Sequence, residues 1–420
     1  MSQLLSVTEA RLRLLNAFSP VESEQVPLAH SAGRVLAEEV VSKVDLPFFN
    51  NSSMDGYAVR ANDLDGMGPH HPVELSVIED IPAGKIPSLK LGFKQAARIM
   101  TGAPLPEGAD AIVPIEDTDQ YRSEEQIESG FSDRVRVFRP VNAGDHVRLK
   151  GRDVRIGDVV LQANRWLRPQ DVGLLAMLGN IQVSVFRKPR VGMLSTGDEL
   201  VPVERPLQPG KIHDSNAYTL ACQVTRDGGE AIYLGIAPDI EESVKEVLEQ
   251  AITRQVDLIV SSAGVSVGAF DFVRTVVEKH GEIDFWRVNM RPGKPLAFGQ
   301  YRHVPFIGLP GNPVSAFVGY EVFVRPALLH LGGLKETSRF QIKVKILESI
   351  ESDGRESYLR AVIKHQEGNW IAQLTGHQGS GNLLSLVQAN ALLIIPSGVK
   401  SLPSGAVVDA WLLDQFGSSG

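Results

Sequence analysis

Between residues 190 and 331 the chain alternates short apolar runs with amphipathic stretches. PRVGMLSTGDEL, AIYLGIAPD and VDLIVSSAG are short apolar runs that predict strands. DSNAYTLACQVTRDGG, DIEESVKEVLEQAITR and DFVRTVVEKHG have helical spacing, and Asp239 with Glu242 three residues later has the arrangement of a capping box. Pro313 stands in the first turn of one more apolar helix. Strands and helices in alternation predict a parallel, doubly wound α/β domain.

The flanking regions have a different pattern. SVTEARLRLLNAF near the start predicts a helix, and PQDVGLLAMLG predicts another with Pro169 near its start and Gly179 past its end. From about residue 58 to 142, and again after residue 337, short alternating runs are cut by Pro and Gly. These patterns predict a β-rich module inserted into another domain, and a small C-terminal barrel or sandwich.

Composition narrows the class of protein. The 420 residues are 43% hydrophobic and 22% charged, with a net charge of −8, as in soluble globular proteins. No basic block indicates nucleic acid, and no apolar run approaches the ~20 residues that span a bilayer. We therefore expect neither nucleic acid nor membrane as a partner. The start MSQLLSVTEA lacks a signal-peptide pattern, and the single cysteine, Cys222, fits a cytoplasmic protein. We expect Cys222 to be a small core residue.

Three predicted strand ends carry polar or small residues. They are Ser195–Glu199, the segment Ser261–Gly268 followed by Asp271, and Leu309–Ser315. Ligands of open parallel sheets bind outside the carboxyl ends of the strands. Small residues let a backbone approach a ligand, and free N–H groups at a helix start favour an anion. We therefore expect an anion site here, although glycines in an ordinary tight turn would give the same pattern.

Acidic residues accompany this loop. Asp198, Glu199 and Asp271 stand beside it, while Asp214 and Asp239 stand where they could cap helices. Carboxylates that face a phosphate usually share a Mg²⁺ ion, because like charges repel. Oxygen ligands suit Mg²⁺, and no His/Cys cluster indicates zinc.

The segment Arg291–Pro295, RPGKP, joins two cations in a rigid loop. Such a loop suits an oxyanion, although it could equally be a solvated basic turn. GxxxxGK[ST] and GxGxxG are both missing from the chain, so we do not expect a P-loop or dinucleotide site. No Ser–His–Asp or Cys–His pattern indicates nucleophilic catalysis.

Taken together, these motifs resemble the MoeA family of molybdopterin molybdenumtransferases, which includes the E-domain of gephyrin. The resemblance runs along the whole chain, through PFFNNSSMDGYAV, RIMTGAPLPEGADAIVP, PRVGMLSTGDEL, KIHDSNAYTL, SSAGVSVGAFD, RPGKPLAFG, GLPGNPVSA and TGHQGSG. It implies a four-domain homodimer that inserts molybdenum from molybdate into adenylylated molybdopterin and releases AMP, with Mg²⁺ as cofactor. A molybdopterin adenylyltransferase is implied as a possible partner.

The resemblance also implies domain boundaries. Residues 1–46 and 144–187 would form a mixed hinge domain, and residues 47–143 a β-rich inserted domain. Residues 188–333 would form the molybdopterin-binding α/β domain. Residues 334–416 would form a β-barrel.

Site residues follow from the same resemblance. Catalysis is assigned to Asp198, Glu199, Asp271 and Lys294, the three acids being the metal ligands. Ser262, Gly264 and Ser266 would hold the pterin phosphate or the adenylate, with Asp239 also on the substrate. The molybdate pocket would be formed by Lys294, Pro295, Ser315, Arg360 and Ser380. Asp55 and Thr101 would complete the cleft across the dimer.

The sequence departs from the family pattern at two points. Arg291 replaces a lysine that family members often have, and Ala263 stands where many have glycine. Alanine has poor access to positive φ, so the loop would differ slightly if that geometry is needed. Two alternatives also remain: a related molybdopterin adenylyltransferase, and a non-catalytic pterin-binding scaffold.

Overall fold

A computed structural model describes residues 4–67, 71–121, 132–263 and 272–413, except for the side chain of Trp286. The chain divides into two compact units. The first comprises Met1–Glu38, Ala163–Gly173 and Asn180–Gly420, and the second comprises Glu39–Gln162 and Leu174–Gly179. The four-domain boundaries given above stay a prediction.

A six-stranded sheet forms the centre of the first unit. Its described strands lie in the order Glu230–Ala237, Arg190–Thr196, Leu258–Ser262, Val304–Leu309, Pro295–Tyr301 and Gly281–Arg287. The first four run parallel, and the last two are joined by antiparallel pairing. Ser195 and Ser262 are opposite each other in the register, so their strands end together.

Helices cover both faces of this sheet. On one face, Glu241–Thr253 and Phe272–His280 bury Val244, Leu248 and Val276 against Ile259. The other face packs on Ser215–Arg226 and on the long helix that begins at Pro313, through a core that includes Leu220, Val224 and Val318. This two-sided burial confirms the predicted α/β fold class.

The long helix consists of three consecutive segments. Pro313–Gly319 and Arg325–Leu331 are α-helical, and Tyr320–Val324 between them is a π-helical turn. By length and hydropathy (1.2) this helix alone among the described residues could cross a membrane, but 83% of that window is buried inside the protein. It is therefore the core helix of the unit.

A closed β-barrel follows the long helix. Glu356–Gln366, Asn369–Leu374, Gln341–Ile346, Val407–Leu412 and Ala391–Ile395 pair in this order, and the last strand pairs again with the first. Its core is apolar and includes Val344, Ile363 and Leu393. A strand at Met290–Arg291 pairs with the barrel strand that begins at Glu356.

The remaining elements of the first unit are short. The N-terminal helix Val7–Asn16 is capped by Ser6, whose hydroxyl accepts from the Glu9 N–H at 3.1 Å. The paired strands are Ser23–Pro27 with Gln182–Phe186, Leu200–Val201 with Ile212–His213, and Ile350–Glu351 with Ser401–Leu402. The short helices are Leu28–His30 and Leu384–Val387. The helix Pro169–Met177, whose residues from Leu174 onward belong to the second unit, begins at the predicted Pro169.

The second unit is β-rich, as predicted. Its described five-stranded sheet has the order Ala111–Pro114, Gly56–Val59, Gln95–Ile99, Val73–Ile81 and Arg134–Val137. Shorter pairs join Val40–Val41 to Val159–Leu161, and Asn51–Ser52 to Val147–Arg148. Short 3₁₀ helices lie at Ala61–Leu64 and Ile115–Asp117.

Two local predictions are wrong. The helix expected to be capped by Asp239 begins at Glu241, and its N-cap residue, Ile240, makes no side-chain capping bond. Asp239 instead donates its backbone N–H to the carboxylate of Asp198. Cys222 is exposed, not buried, because the buried face of its helix is formed by Ala217, Leu220 and Val224.

Candidate functional site

A cavity of about 400 Å³ lies at the carboxyl ends of the parallel strands in the first unit. Three strand ends contribute to its wall: Thr196, Ser262 and Pro310, which follows the strand ending at Leu309. This is the edge at which open α/β sheets bind ligands. The remaining wall is formed by Glu199, Leu200, Ile212, His213, Asp214, Ser215, Asn216, Ala263, Pro295, Gly311, Asn312 and Pro313.

A pair of serine hydroxyls lies at the strand ends beside the cavity, which Ser262 lines. Ser195 and Ser262 are both buried, and their hydroxyl oxygens are 3.1 Å apart, which is a hydrogen bond in either direction. The bond joins the ends of two neighbouring parallel strands, so it holds Ser262 against the cavity. This geometry brings the predicted Ser262 to the predicted edge of the sheet.

The loop after Ser262 starts in an unusual backbone conformation. Ala263 has φ +73°, in the left-handed region that alanine rarely adopts. Its N–H donates to the Leu309 carbonyl at 3.0 Å, which joins two of the strand ends. Residue 263 therefore takes the conformation favoured by glycine although it is alanine.

Two polar residues support the opposite wall. Asn216, which is 9% exposed, donates from Nδ2 to the Gly311 carbonyl at 2.8 Å. Asp214 caps the helix Ser215–Arg226 by accepting from the Ala217 N–H at 3.1 Å, the capping role considered for it from sequence. Neither Asn216 nor His213, which also lines the cavity, was singled out from the sequence. The only signal for them was their place in the motif KIHDSNAYTL.

Asp198, Glu199 and Asp239 form an acidic group at the cavity's edge. Oδ1 of Asp198 accepts from the Asp239 N–H at 3.2 Å. Burial, and next the negative charges of Asp198 and Glu199, raise the pKa of Asp239. The side chain of Lys211 also reaches this group, since its Nζ donates to the Asp198 carbonyl.

Glu199 also depends on its neighbour Gly197, which has φ +140°. A Cβ atom at residue 197 would lie 2.6 Å from Oε2 of Glu199. Glycine at this position thus lets the Glu199 carboxylate fold back over the backbone.

The predicted metal site is described only in part. Asp198 and Glu199 lie together, whereas Asp271, Gly264 and Ser266 lie outside the described residues. Among the residues that are described, no group of three or more His, Cys, Asp or Glu side chains is placed to hold a metal ion.

The predicted basic loop borders the cavity. Pro295 lines it, while Lys294 is exposed and makes no ion pair with any described residue. Gly293, with φ +104°, lies close to the helix that begins at Pro313: a Cβ there would be 3.7 Å from the Ser315 carbonyl oxygen. Ser315 itself is buried. The loop therefore lies beside the first turn of the helix.

Arg360 is a fully buried cation on the barrel strand Glu356–Gln366. Its Nε donates to the Ser385 hydroxyl at 3.0 Å, and Nη2 donates to the carbonyls of Gly379 (3.0 Å) and His377 (3.4 Å). Within the described chain no carboxylate pairs with it. Burial, and next the positive charge of Arg291, lower the pKa of Arg360 to about 10, so it stays charged at neutral pH.

Ser380 connects this barrel loop to the α/β domain. Its carbonyl accepts from the Val314 N–H, in the first turn of the long helix, at 3.0 Å. Ser380, Ser315 and the Gly379 carbonyl that holds Arg360 therefore belong to one contact region. Whether these residues bind an oxyanion stays a prediction.

Asp55 and Thr101 pair with each other in the second unit. Oδ1 of Asp55 accepts from the N–H of Thr101 at 2.6 Å and from its hydroxyl at 2.7 Å. These two bonds, the backbone one first, lower the pKa of Asp55. The pair is exposed, and its assignment to a substrate stays a prediction.

Three family profiles match consecutive parts of the chain. Residues 5–179 match the MoeA N-terminal region (domain I and II), residues 192–330 a probable molybdopterin binding domain, and residues 343–413 the MoeA C-terminal region (domain IV).

Full-length relatives agree with these matches. The molybdopterin molybdenumtransferase of Nostoc sp. is 40% identical over 394 residues, which are 92% of this chain and 88% of the relative. That of Bacillus subtilis is 36% identical over 419 residues, covering 99% and 95%. The crystal structure of the molybdopterin biosynthesis MoeA protein from Pyrococcus horikoshii OT3 superposes with a TM-score of 0.83 at 32% identity, covering 98% of this chain and all of that one.

Proposed function

The chain belongs to the MoeA family of molybdopterin molybdenumtransferases, and we propose that it inserts molybdenum from molybdate into adenylylated molybdopterin with release of AMP. Molybdate and the adenylylated pterin are the two substrates. The site for them is the cavity at the sheet's carboxyl edge together with the adjoining contact with the barrel.

The observation that carries this proposal is the full burial of the Arg360 guanidinium. A buried guanidinium without a carboxylate partner in the described chain is costly unless an anion neutralises it. Its neighbours are hydroxyls, carbonyls and a second arginine, Arg291. A tetrahedral dianion suits such a set, because its charge neutralises more than one positive charge. Lys294, exposed and free of ion pairs with described residues, supplies a further cation at the pocket.

The cavity suits the larger substrate. Its volume of about 400 Å³ is within the ~300–1,000 Å³ typical of small-molecule sites. Ser262 offers a hydroxyl at a strand end, and the loop from Ala263 through Gly264 and Ser266 is where phosphate groups would bind. Cleavage of a phosphoanhydride bond needs charge neutralisation more than a protein nucleophile.

We include Mg²⁺ in the proposal, held by Asp198 and Glu199 with Asp271. The donor set fits: all three are hard carboxylate oxygens, as Mg²⁺ prefers. The raised pKa of Asp239, caused by burial and next by the charges of Asp198 and Glu199, also supports a crowded acidic site that a bound cation would relieve. Bound Mg²⁺ would supply neutralisation of phosphate charge. In the chain itself, Gly197 keeps the Glu199 carboxylate folded toward the site.

The proposal has three further parts. The protein acts in the cytoplasm, since the composition is that of a soluble protein with one cysteine. It forms a homodimer, for which sedimentation velocity is the direct test. It receives its labile substrate from a molybdopterin adenylyltransferase.

The two alternatives have less support. An adenylyltransferase of the related α/β fold would not require the N-terminal and barrel regions, and relatives named molybdenumtransferase span 92% or more of this chain. A non-catalytic scaffold would not need an unneutralised buried Arg360. If ATP and molybdopterin gave the adenylylated product, the adenylyltransferase alternative would be favoured.

AMP release tests the proposal. The purified protein is incubated with adenylylated molybdopterin and Mg²⁺, with and without molybdate, and AMP is quantified. We expect release to depend on molybdate and to weaken in Lys294→Ala and Asp271→Asn, but not in the control Lys364→Ala, an exposed barrel lysine. No molybdate-dependent AMP from the parent protein would refute the function. Normal activity of both site variants would refute the assignment of the residues.

A further inference from the structure

Glu321 is a fully buried acid far along the long helix from the site. Its Oε1 accepts from Gln223 Nε2 at 2.9 Å and from Arg226 Nη2 at 2.8 Å, both on the helix Ser215–Arg226. Its Oε2 accepts from Nε of Arg339 at 2.7 Å. Each carboxylate oxygen therefore bonds a different structural element.

Arg339 stands just before the first barrel strand, Gln341–Ile346, and its side chain is 12% exposed. Its Nη1 donates to the carbonyl of Leu412, the last residue of the barrel's final strand, at 2.9 Å. One guanidinium thus holds the beginning and the end of the barrel to Glu321. The planar fork of arginine makes both contacts at once, which a lysine ammonium on a single stem would not reproduce.

A π-helical turn places Glu321 in this network. Tyr320, the preceding residue, donates its hydroxyl to Asp227 at 3.1 Å, and Asp227 also pairs with Arg226 at 2.8 Å. The π turn Tyr320–Val324 thus directs two consecutive side chains into one buried polar cluster. Turns of this kind are frequent at functional positions of helices.

The same helix touches the barrel at a second place. At its start, the Val314 N–H donates to Ser380. Val314 and Glu321 are about 10 Å apart along the helix axis, from the rise per residue. Barrel residues Tyr358, Leu392 and Trp411 also share an apolar core with the helix. Apolar packing has little directional preference, so the two polar contacts, this far apart on one helix, fix the rotation of the barrel.

We propose that the Glu321–Arg339 ion pair is a positioning element that sets the barrel on the long helix and thereby places Arg360 and Ser380 at the oxyanion pocket. Neither residue touches substrate, so both act through the placement of the barrel. The expected effect on the molybdate KM rests on the proposed function. The expected effect on the placement of the barrel does not.

Kinetics of Arg339→Met test the consequence for the site. The substitution keeps the apolar stem and removes the fork. A misplacement of about 1 Å can cost ~100-fold. We therefore expect the KM for molybdate to rise about tenfold or more. The KM for adenylylated molybdopterin and kcat at saturating molybdate should change little. Arg339→Lys should give an intermediate KM. Should Arg339→Met fail to fold, Glu321→Gln keeps the shape of the network and takes its place.

Arg187→Met is the matched control. Arg187 forms a bidentate pair with Asp257 at 2.6 and 2.7 Å, with side chains 27% and 15% exposed, beside the start of the strand Arg190–Thr196. That is the edge of the sheet opposite the cavity. Arg187→Met should lower the melting temperature without raising the molybdate KM. Equal KM values in the two variants would overturn the proposal.

Hydrogen exchange gives a readout independent of activity. In Arg339→Met the amide of Val314 should exchange faster, because its acceptor, Ser380, is no longer held in place; in Arg187→Met its exchange should match the parent. An unchanged Val314 amide in Arg339→Met would overturn the positioning role. If the parent protein released no AMP, the proposed function would be refuted. The exchange rate of the Val314 amide would still decide whether Arg339 positions the barrel.

Discussion

The hydroxyl of Ser385 accepts from Nε of the buried Arg360 at 3.0 Å and donates its own proton to the Asn382 carbonyl at 2.6 Å. Because that proton is committed to Asn382, the serine oxygen presents only lone pairs to Arg360. The plane of the guanidinium is therefore fixed by the protein before an anion binds. Preorganisation of this kind lowers the ordering cost of binding.

Arg360→Lys should impair molybdate binding while keeping a positive charge. A lysine loses the fork and the bond to Ser385, and hydrogen bonds to charged groups contribute about 1.5–3 kcal/mol. We expect the molybdate KM to rise roughly 10- to 150-fold on that scale, measured by AMP release against molybdate concentration. Ser385→Ala should give a smaller rise. Ser404→Ala, whose hydroxyl bonds the Leu347 carbonyl on the exposed surface, should leave KM unchanged. If the molybdate KM of Arg360→Lys equalled that of the parent, Arg360 would not be part of the molybdate pocket.

Ala263→Gly should stabilise the protein. Alanine at φ +73° carries a penalty of about 1–2 kcal/mol, which glycine avoids at an entropic cost of about 0.5–1 kcal/mol. The net gain of about 0.5–1 kcal/mol should appear as a higher melting temperature. Ala316→Gly, within the helix Pro313–Gly319, should lower the melting temperature instead. If both variants lowered the melting temperature by the same amount, residue 263 would not be strained.

Much of the α/β domain could be predicted because its signals are local. Apolar runs, caps and the order of parallel strands fix which residues stand at strand ends, and this was enough to place Ser262 and Pro310 at one edge. The Asp214 cap likewise follows from its position before a helix. Cys222 was mispredicted because residue type was used in place of helical position: Ala217, Leu220 and Val224 define the buried face, and Cys222 is off it.

The contacts between distant segments could not be predicted locally. Nothing around Ser380 indicates that its carbonyl meets the Val314 N–H, and nothing around Arg360 indicates a missing carboxylate. These residues were assigned by family resemblance alone. The sequence around Asp239 has the spacing of a capping box. In the structure, however, the Asp239 N–H donates to Asp198, a partner that the sequence pattern does not indicate.

Asp239→Asn should stabilise the metal-free protein at neutral pH. Burial and the charges of Asp198 and Glu199 raise the folded-state pKa of Asp239. For a raised carboxyl pKa, the associated stability is present below the unfolded value of about 3.9 and is lost as pH rises through the folded value. The variant should therefore melt higher than the parent at pH 7 in EDTA, and the two should converge toward pH 3.5.

The control for this titration is Asp65→Asn, an exposed aspartate of the second unit, which should follow the parent at every pH. Addition of Mg²⁺ should shrink the advantage of Asp239→Asn, because a bound cation relieves the same repulsion. A constant difference between Asp239→Asn and the parent across the whole pH range would rule out charge repulsion as its cause.

Gly197→Ala should weaken Mg²⁺-dependent activity out of proportion to its effect on stability. Two consequences of the new methyl group must be separated: alanine is strained at φ +140°, and its Cβ would lie 2.6 Å from Oε2 of Glu199. Gly235→Ala isolates the first, since Gly235 has φ +112° in the neighbouring strand and no atom within 4 Å of an added Cβ. Both variants should lose about 1–3 kcal/mol of stability from strain. Only Gly197→Ala should displace the Glu199 carboxylate, so it alone should require more Mg²⁺ for half-maximal AMP release. If Gly235→Ala shifts the Mg²⁺ requirement equally, the effect comes from backbone strain and Glu199 is not a metal ligand.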